Sequence, residues 1–230
     1  GSTVTREADD TVFIGAGPEI GVAATKTFCS QVATVALVTV YIGRQRETIS
    51  SAEARELLSH LRGLPGAVQQ VLDREEQVRA VAEEYGNGDA FFFVGRRLGA
   101  SVALEGALKL KEISYDHAEG FPAGELKHGP LALVTSETPV LAVLTEGSKP
   151  SETLNNVKEV ESRGAPVIGC ASDVVDAEKF VNEVFEVPEL GELEPLVANV
   201  YFQLFSYHVA NFNDRSIDKP RNLAKSVTVE

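Results

Sequence analysis

Short, wholly apolar runs alternate along the chain with longer stretches of helical period. Residues 90–95 read AFFFVG, a run typical of a central parallel strand that is covered on both faces. Similar short runs predict strands at residues 139–144, 166–170 and 181–188. Strands that alternate with helices in this way predict an α/β fold with a doubly wound parallel sheet.

The helical segments are recognised by their apolar period and by the glycines and prolines that end them. We expect Gly63 and Pro65 to break one long stretch into two helices, and Gly164 to end another helix. Residues 118–130 hold several glycines and prolines and are predicted to be a loop. The predicted helices cover residues 24–42, 51–61, 66–85, 103–115, 154–162 and 195–212.

One order of elements occurs twice. A strand at residues 9–14, a Gly-rich turn and a long helix recur near the other end as the strand at residues 181–188, an acidic turn and another long helix. We interpret this recurrence as two copies of one module. Residues 1–46 are then the end of a first copy, residues 47–213 a complete second copy, and residues 214–230 a polar tail.

The net charge narrows the classes of partner. The 230 residues carry a formal charge of −13, and the pI is near 4.8. Nucleic acids and anionic membrane surfaces would repel such a chain, so neither is expected as a partner. A phosphorylated sugar remains compatible, because it needs only a local cluster of hydrogen-bond donors. Acidity of this size also fits a protein from a salt-rich cytoplasm.

Cysteine usage favours a reducing compartment. Cys29 and Cys170 lie far apart among apolar neighbours, which is typical of buried thiols in a cytoplasmic protein. Neither has metal-ligand spacing around it, so no metal and no other cofactor is indicated. The apolar run at residues 32–42 is too short to span a bilayer. The chain begins Gly-Ser and holds no methionine, so we expect an excised piece of a longer protein.

The helix predicted at residues 103–115 carries the candidate chemistry. Glu105, Lys109 and Glu112 fall at i, i+4 and i+7 and therefore share one helix face. The following loop adds His128 before a Gly-Pro turn. Carboxylates, an amine and an imidazole near one another suit proton transfer. A solvated helix face with an i,i+4 ion pair, beside an ordinary turn histidine, is the other interpretation of the same spacing.

Four sequence blocks resemble one enzyme family. They are EIGVAATKTF, ALEGALKLKEISY, GELKHGPLAL and DKPRNLAKSVTVE, and they occur in order across nearly the whole chain. Together they resemble the isomerase half of the glutamine–fructose-6-phosphate aminotransferase family, also called glucosamine-6-phosphate synthases. The resemblance implies the sugar isomerase (SIS) fold, a three-layer α/β/α sandwich. It also implies conversion of fructose 6-phosphate and glutamine-derived ammonia to glucosamine 6-phosphate.

The resemblance implies a role for each matching residue. Glu112 matches the carboxylate that moves a proton between C1 and C2 of the sugar. Lys225 matches the tail lysine that forms a Schiff base with the open-chain ketose, and Lys109 matches a helix lysine beside the carboxylate. His128 matches the histidine that opens the sugar ring in the site of the neighbouring subunit, so a homodimer is implied.

The implied substrate contacts come from Val22 and its neighbours and from the tail residue Ala224. Here the sequence departs from the family at two places. Ala24 stands where the family commonly has serine, which removes a hydroxyl contact but keeps a backbone one. Phe121 and Pro122 replace the small residues that commonly precede GELKHG. These changes affect individual substrate contacts and leave the implied reaction class in place.

Parts of the family pattern are missing from this chain. The glutaminase half, with its N-terminal nucleophilic cysteine, and the Ser/Thr-rich phosphate loop of the first module are not in the sequence. We therefore expect the piece to be inactive alone. The loop at residues 96–101 follows a strand and is a weaker candidate for holding a phosphate. Two alternatives are another phosphosugar isomerase or deaminase, and a phosphosugar-binding module without catalysis.

Overall fold

A single parallel sheet forms the centre of the computed structural model, in which the structure describes residues 2–173 and 176–225. Its five strands lie in the order β2-β1-β3-β4-β5, and every neighbouring pair is parallel. The predicted α/β fold with a parallel sheet is therefore confirmed. The strands are β1 Phe91–Gly95, β2 Ala118–Pro122, β3 Val140–Leu144, β4 Val167–Ala171 and β5 Glu183–Glu186.

Helices cover both faces of the sheet. Helices α3, α4, α5 and α7 lie on one face, while α6 and two short 3-10 helices lie on the other. The three α/β/α layers that the resemblance implied are thus present. The α-helices are α1 Thr3–Glu7, α2 Lys26–Gln45, α3 Ser51–Leu72, α4 Glu75–Tyr85, α5 Leu98–Ile113, α6 Pro150–Glu161 and α7 Glu194–Phe212. The 3-10 helices are Ala123–His128, Pro130–Leu133 and Gly191–Leu193.

The central strand β1 is buried along its whole length, as its unbroken apolar run predicts. Phe93 packs edge-on against Phe202 of α7, with the ring centroids 5.1 Å apart. On the opposite face, Phe92 packs edge-on against Phe121 at 5.2 Å. Each fully buried phenylalanine contributes about 1.5–3 kcal/mol relative to an exposed one. The sheet is therefore anchored through both of its faces.

Strand β2 was predicted as part of a loop, and that prediction is wrong. Ala118–Pro122 pairs with β1 along its full length, from the Phe91 and Ala118 pair to the Gly95 and Pro122 pair. It is an edge strand, where a proline at the end costs no ladder hydrogen bond. Gly120 lets α5 cross closely, because a Cβ there would lie 2.6 Å from Cα of Leu104. The glycines and prolines of this segment indicated a loop, but its pairing with β1 makes it a strand.

The prediction of a strand at residues 9–14 is also wrong, since this segment has no regular secondary structure. Val12 and Phe13 are 66% and 76% exposed. A strand needs a neighbour to satisfy its backbone groups, and the five-stranded sheet of the described residues does not include this segment. The long helix predicted after it is present as α2.

The predicted break at Gly63 and Pro65 does not occur. Helix α3 continues through Pro65, and the break falls instead between α3 and α4, near Arg74. The buried positions Leu64, Ala67 and Val71 form one stripe that spans the proline. Packing of this stripe on the core outweighs the local cost of a proline in a helix.

Helix α2 leaves much of its apolar surface uncovered. Phe28 and Val32 pack against the main core, but Val35 and Tyr41 are 63% and 67% exposed. Helix α2 has 20 residues and a mean hydropathy of 1.2, so it is long and apolar enough to cross a membrane. One such helix is weak evidence for a membrane, because core helices of soluble proteins have the same length and composition.

Candidate functional site

Helix α5 places a lysine deep in the protein. Lys109 is only 3% exposed, because α5 packs against both the sheet and the neighbouring helix α7. Gly106 permits this approach, since a Cβ there would clash with the Phe202 ring. An ammonium group at this depth would be strongly destabilising without partners of opposite charge. The same helix supplies those partners one turn away on each side.

Two carboxylates flank the Lys109 ammonium. Its Nζ atom lies 2.6 Å from Glu112 Oε2 and 3.4 Å from Glu105 Oε1. Burial raises the pKa of Glu105, and the charge of Lys109 opposes that rise. Glu112 Oε2 is buried, so its contact with the Lys109 ammonium is shielded from water. The shared helix face predicted from the spacing is thus confirmed.

Glu112 also lines an open cleft of about 420 Å³. The opposite wall is the tail, from Arg221 to Leu223. Tyr115 joins the two walls, because its hydroxyl accepts a hydrogen bond from the Arg221 backbone N–H at 2.9 Å. The Arg221 guanidinium lies 4.3 Å from the centre of the same ring. The tail is therefore docked beside the carboxylate.

The segment that precedes α2 is organised by a buried carboxylate. Glu19 accepts hydrogen bonds from the Thr25 backbone N–H at 2.9 Å and the Thr27 hydroxyl at 2.5 Å. Burial by itself raises the pKa of Glu19. The bonds from Thr27, Thr25 and the Lys225 ammonium outweigh that effect and lower the pKa to about 2. Glu19 is therefore a stable anion in the fold.

Lys225 lies against this segment. Its Nζ atom is 2.9 Å from Glu19 Oε2 and donates to the Gly21 carbonyl at 2.8 Å and the Val22 carbonyl at 3.5 Å. The Val22 backbone N–H donates in turn to the Asp218 carbonyl at 3.0 Å. The polar tail thus folds back along the segment before α2, and two predicted site residues, Val22 and Lys225, are in contact.

The other predicted site residues, His128, Ala24 and Ala224, are less closely connected to these two pairs. His128 ends a 3-10 helix on the opposite layer, is exposed, and within the described residues makes no hydrogen bond or ion pair to Glu112 or Lys225. Ala24 is half-buried and Ala224 is exposed. One chain thus brings Lys109 to Glu112 and Lys225 to Val22, while His128 faces solvent elsewhere.

The loop after β1 lies at the carboxyl edge of the sheet, where ligands of such folds bind. Arg96 is engaged there, because it donates to Asn156 Oδ1 at 3.0 Å and lies 3.5 Å from a Glu152 oxygen. The loop at residues 96–101 lies where the sequence predicted it, and its use as a phosphate site stays a prediction. In the part of the chain that the structure describes, no group of three His, Cys, Asp or Glu side chains could hold a metal.

Two residues of this region were not recognised from the sequence. Glu19 stood in a matching block, but nothing local indicates that its carboxylate is buried. Tyr115 ends the α5 motif in an uncommon backbone conformation, with φ of 71°. The signal for Glu19 is the pair of threonines, Thr25 and Thr27, at the start of a helix that lacks any acidic residue in its first turn.

Known proteins resemble the chain over its whole length. The SIS domain model matches residues 87–212, more than half of the chain. A glutamine–fructose-6-phosphate aminotransferase (isomerizing) from Halobacterium salinarum is 66% identical over 230 residues, which are 100% of this chain and 38% of that protein. The chain thus spans well under half the length of this relative.

Two solved structures are similar to the fold. The C-terminal domain of glucosamine-fructose-6-phosphate aminotransferase from Francisella tularensis has a TM-score of 0.89 and 35% identity, covering 95% of this chain and 62% of that one. A glucosamine-6-phosphate deaminase from Thermotoga maritima has a TM-score of 0.68 and 25% identity, covering 92% and 59%. With the sheet, the layers and the domain match in agreement, the chain belongs to the SIS domain family.

Proposed function

We propose that the chain is the isomerase portion of an enzyme that makes glucosamine 6-phosphate from fructose 6-phosphate and ammonia released from glutamine. The observation that carries this proposal is the Lys109 and Glu112 pair, 2.6 Å apart, beside a cleft whose other wall is the tail. The 66% identity to an aminotransferase of this name over the whole chain supports it. The glutaminase step belongs to a part of the protein outside this chain.

The reaction begins at Lys225. Its amine nitrogen, once unprotonated, attacks C2 of the open-chain ketose, and loss of water gives an imine. Ammonia then adds at C2 and releases the lysine, so that the nitrogen kept in the product comes from ammonia. The contacts of Lys225 with Gly21 and Val22 support this role, because they hold the amine beside a substrate-binding segment.

Glu112 then carries out the isomerisation. Its carboxylate takes a proton from C1, the C1–H electron pair becomes a C1–C2 double bond, and the electrons of the C2–N double bond move to nitrogen. As the proton returns to C2, the C1 hydroxyl gives up its O–H proton to that nitrogen, which leaves an aldehyde at C1 and an amine at C2. One carboxylate suffices, since it can accept and return the same proton. The Lys109 ammonium, 2.6 Å from Oε2, holds this carboxylate in place.

His128 opens the sugar ring in a neighbouring subunit's site, which makes the working enzyme a homodimer. An imidazole can donate to the ring oxygen and accept from the anomeric hydroxyl. The exposure of His128 on the layer opposite α5 supports a role outside its own chain. Backbone groups near Val22, Ala24 and Ala224 contact the sugar.

Residues 1–46 are the end of a first SIS copy, residues 47–213 a second copy and residues 214–230 the active-site tail. The exposed apolar side chains of α2, Val35 and Tyr41 among them, support this division, because a helix from another module would bury them there. The enzyme works in the cytoplasm, in keeping with its two free cysteines.

The decisive experiment is Glu112→Gln in the full-length enzyme. The amide cannot carry the proton, so glucosamine 6-phosphate formation falls by about a thousandfold or more, while the Lys225 imine with fructose 6-phosphate can still be trapped by borohydride. Glu56→Gln, the same substitution on an exposed turn of α3, is the control and keeps activity. Undiminished synthesis by the Glu112 variant would contradict the proposal.

A second candidate is a phosphosugar isomerase or deaminase, favoured by the likeness to the deaminase from Thermotoga maritima. Incubation of the full-length enzyme with glucosamine 6-phosphate and no glutamine separates the two. Fast release of ammonia under these conditions, with no gain in synthesis when glutamine and fructose 6-phosphate are added, would favour the deaminase.

A further inference from the structure

We propose that Glu19 is a positioning residue that stores the Lys225 amine in an ion pair until a ketose enters the site. The inference rests on the proposed function, since it concerns the lysine that forms the imine. It adds a residue that the sequence motifs did not single out. The two residues are 206 positions apart, yet their charged atoms lie 2.9 Å from each other.

The Glu19 carboxylate is also held by donors of its own segment, independently of Lys225. The backbone N–H groups of Thr25 and Thr27 donate to Oε1 at 2.9 and 3.3 Å, and the Thr27 hydroxyl donates to Oε2. These donors belong to the first turn of α2 and the residue before it, where a helix favours an anion. The Glu19 side chain is 7% exposed, so its position is set by the protein and not by solvent.

Lys225 is held from more than one direction. Besides Glu19, the carbonyls of Gly21 and Val22 accept hydrogen bonds from its Nζ atom. The other charged groups of this corner are Lys26 and Asp218. Lys26 is directed to the Pro18 carbonyl at 2.6 Å, which leaves Glu19 to Lys225. The tail lysine therefore meets one carboxylate and two carbonyls, all from one segment.

This contact has a chemical consequence. An amine attacks a carbonyl only when its nitrogen is free to approach the carbonyl carbon, and here Nζ is held by Glu19 and two backbone carbonyls. The Lys225 side chain is 47% exposed, so a bound ketose can reach it and draw it away from Glu19. The carboxylate thus keeps the amine near the site and unreactive while the site is empty.

The first test is independent of any sugar. Brief acylation of the protein with acetic anhydride, followed by mass spectrometry, compares Lys225 with Lys219, an exposed lysine of the same tail. In the unmodified protein Lys225 reacts more slowly than Lys219. Glu19→Gln raises the relative rate at Lys225 by about two- to fivefold, as loss of a partly exposed ion pair predicts.

Glu56→Gln makes the same change of charge on an exposed turn of α3 and leaves the ratio unchanged. Equal acylation of Lys225 and Lys219 in the unmodified protein would overturn the inference, even where the Glu19 variant folds poorly. An unchanged ratio in a folded Glu19→Gln protein would overturn it as well.

The second test uses the full-length enzyme and separates this inference from the proposed function. Glu19→Gln changes kcat for synthesis by at least threefold at an unaltered KM for fructose 6-phosphate, and Glu19→Asp restores part of the difference. Failure of borohydride to trap sugar on Lys225 would reject the proposed function, while the acylation result would still report the ion pair between Glu19 and Lys225. Normal kcat in Glu19→Gln, with trapping intact, would reject the inference alone.

Discussion

Two ion-paired lysines of this protein are built in opposite ways. Lys109 meets Glu105 and Glu112 within one helix, at separations of four and three residues, and is almost fully buried. Lys225 meets Glu19 from the other end of the chain, and its side chain stays 47% exposed. The first pairing follows from helix geometry and the second from the docking of a tail. Because Lys109 is buried, its ion pairs mainly affect the stability of the fold. Because Lys225 is partly exposed, its ion pair mainly affects whether a ligand can reach the amine.

The largest effect is expected from Lys109→Met. Removing the ammonium leaves two half-buried carboxylates facing each other, which destabilises the fold by about 2–4 kcal/mol. Lys111→Met, at an exposed position of the same helix, changes the free energy of unfolding by no more than about 0.5 kcal/mol. Urea unfolding followed by circular dichroism measures both. Equal stabilities for the two variants would show that Lys109 is solvated and not paired.

A smaller effect is expected where the tail is held. Tyr115→Phe removes the acceptor for the Arg221 backbone N–H and weakens tail docking by about 0.5–1.5 kcal/mol. Hydrogen exchange at the Arg221 amide then speeds up by about two- to tenfold, while α5 and the sheet are unaffected. Tyr41→Phe, at an exposed position of α2, is the matched control. Faster exchange throughout α5 would point instead to a loss of core structure.

The pH dependence of stability is expected to differ between two carboxylates. The pKa of Glu19 is lowered from 4.5 to about 2, so its contribution is present above pH 4.5 and is lost as the pH falls toward 2. The pKa of Glu105 is raised, so its protonated form favours folding, and stability is lost as the pH rises from 4.5 through the raised value. The two carboxylates therefore act with opposite sign.

Unfolding measured from pH 2 to pH 7 on Glu19→Gln and Glu105→Gln checks both signs. Relative to the unmodified protein, the Glu19 variant becomes less stable as the pH rises from 2 to 4.5. The Glu105 variant becomes relatively more stable as the pH rises above 4.5. Parallel curves for the two variants would contradict the opposite environments of these carboxylates.

Short-range patterns predicted the site only where the partners share one element. The face of Glu105, Lys109 and Glu112 follows from a period of 3.6 residues and was correct in the structure. No such rule relates Glu19 to Lys225. The resemblance supplied Lys225 as a candidate, but the carboxylate that receives it was not recognised, because burial and long-range docking leave no local mark.

The same division holds for the fold. Wholly apolar runs such as AFFFVG determined the buried strands, and the spacing of apolar residues determined most of the helices. Only the tertiary structure decided that β2 is a strand, that α3 continues through Pro65, and that residues 9–14 do not form a strand. The physical reason is that strand pairing and core packing act between distant residues, and their free energies exceed the weak local preferences that a sequence displays.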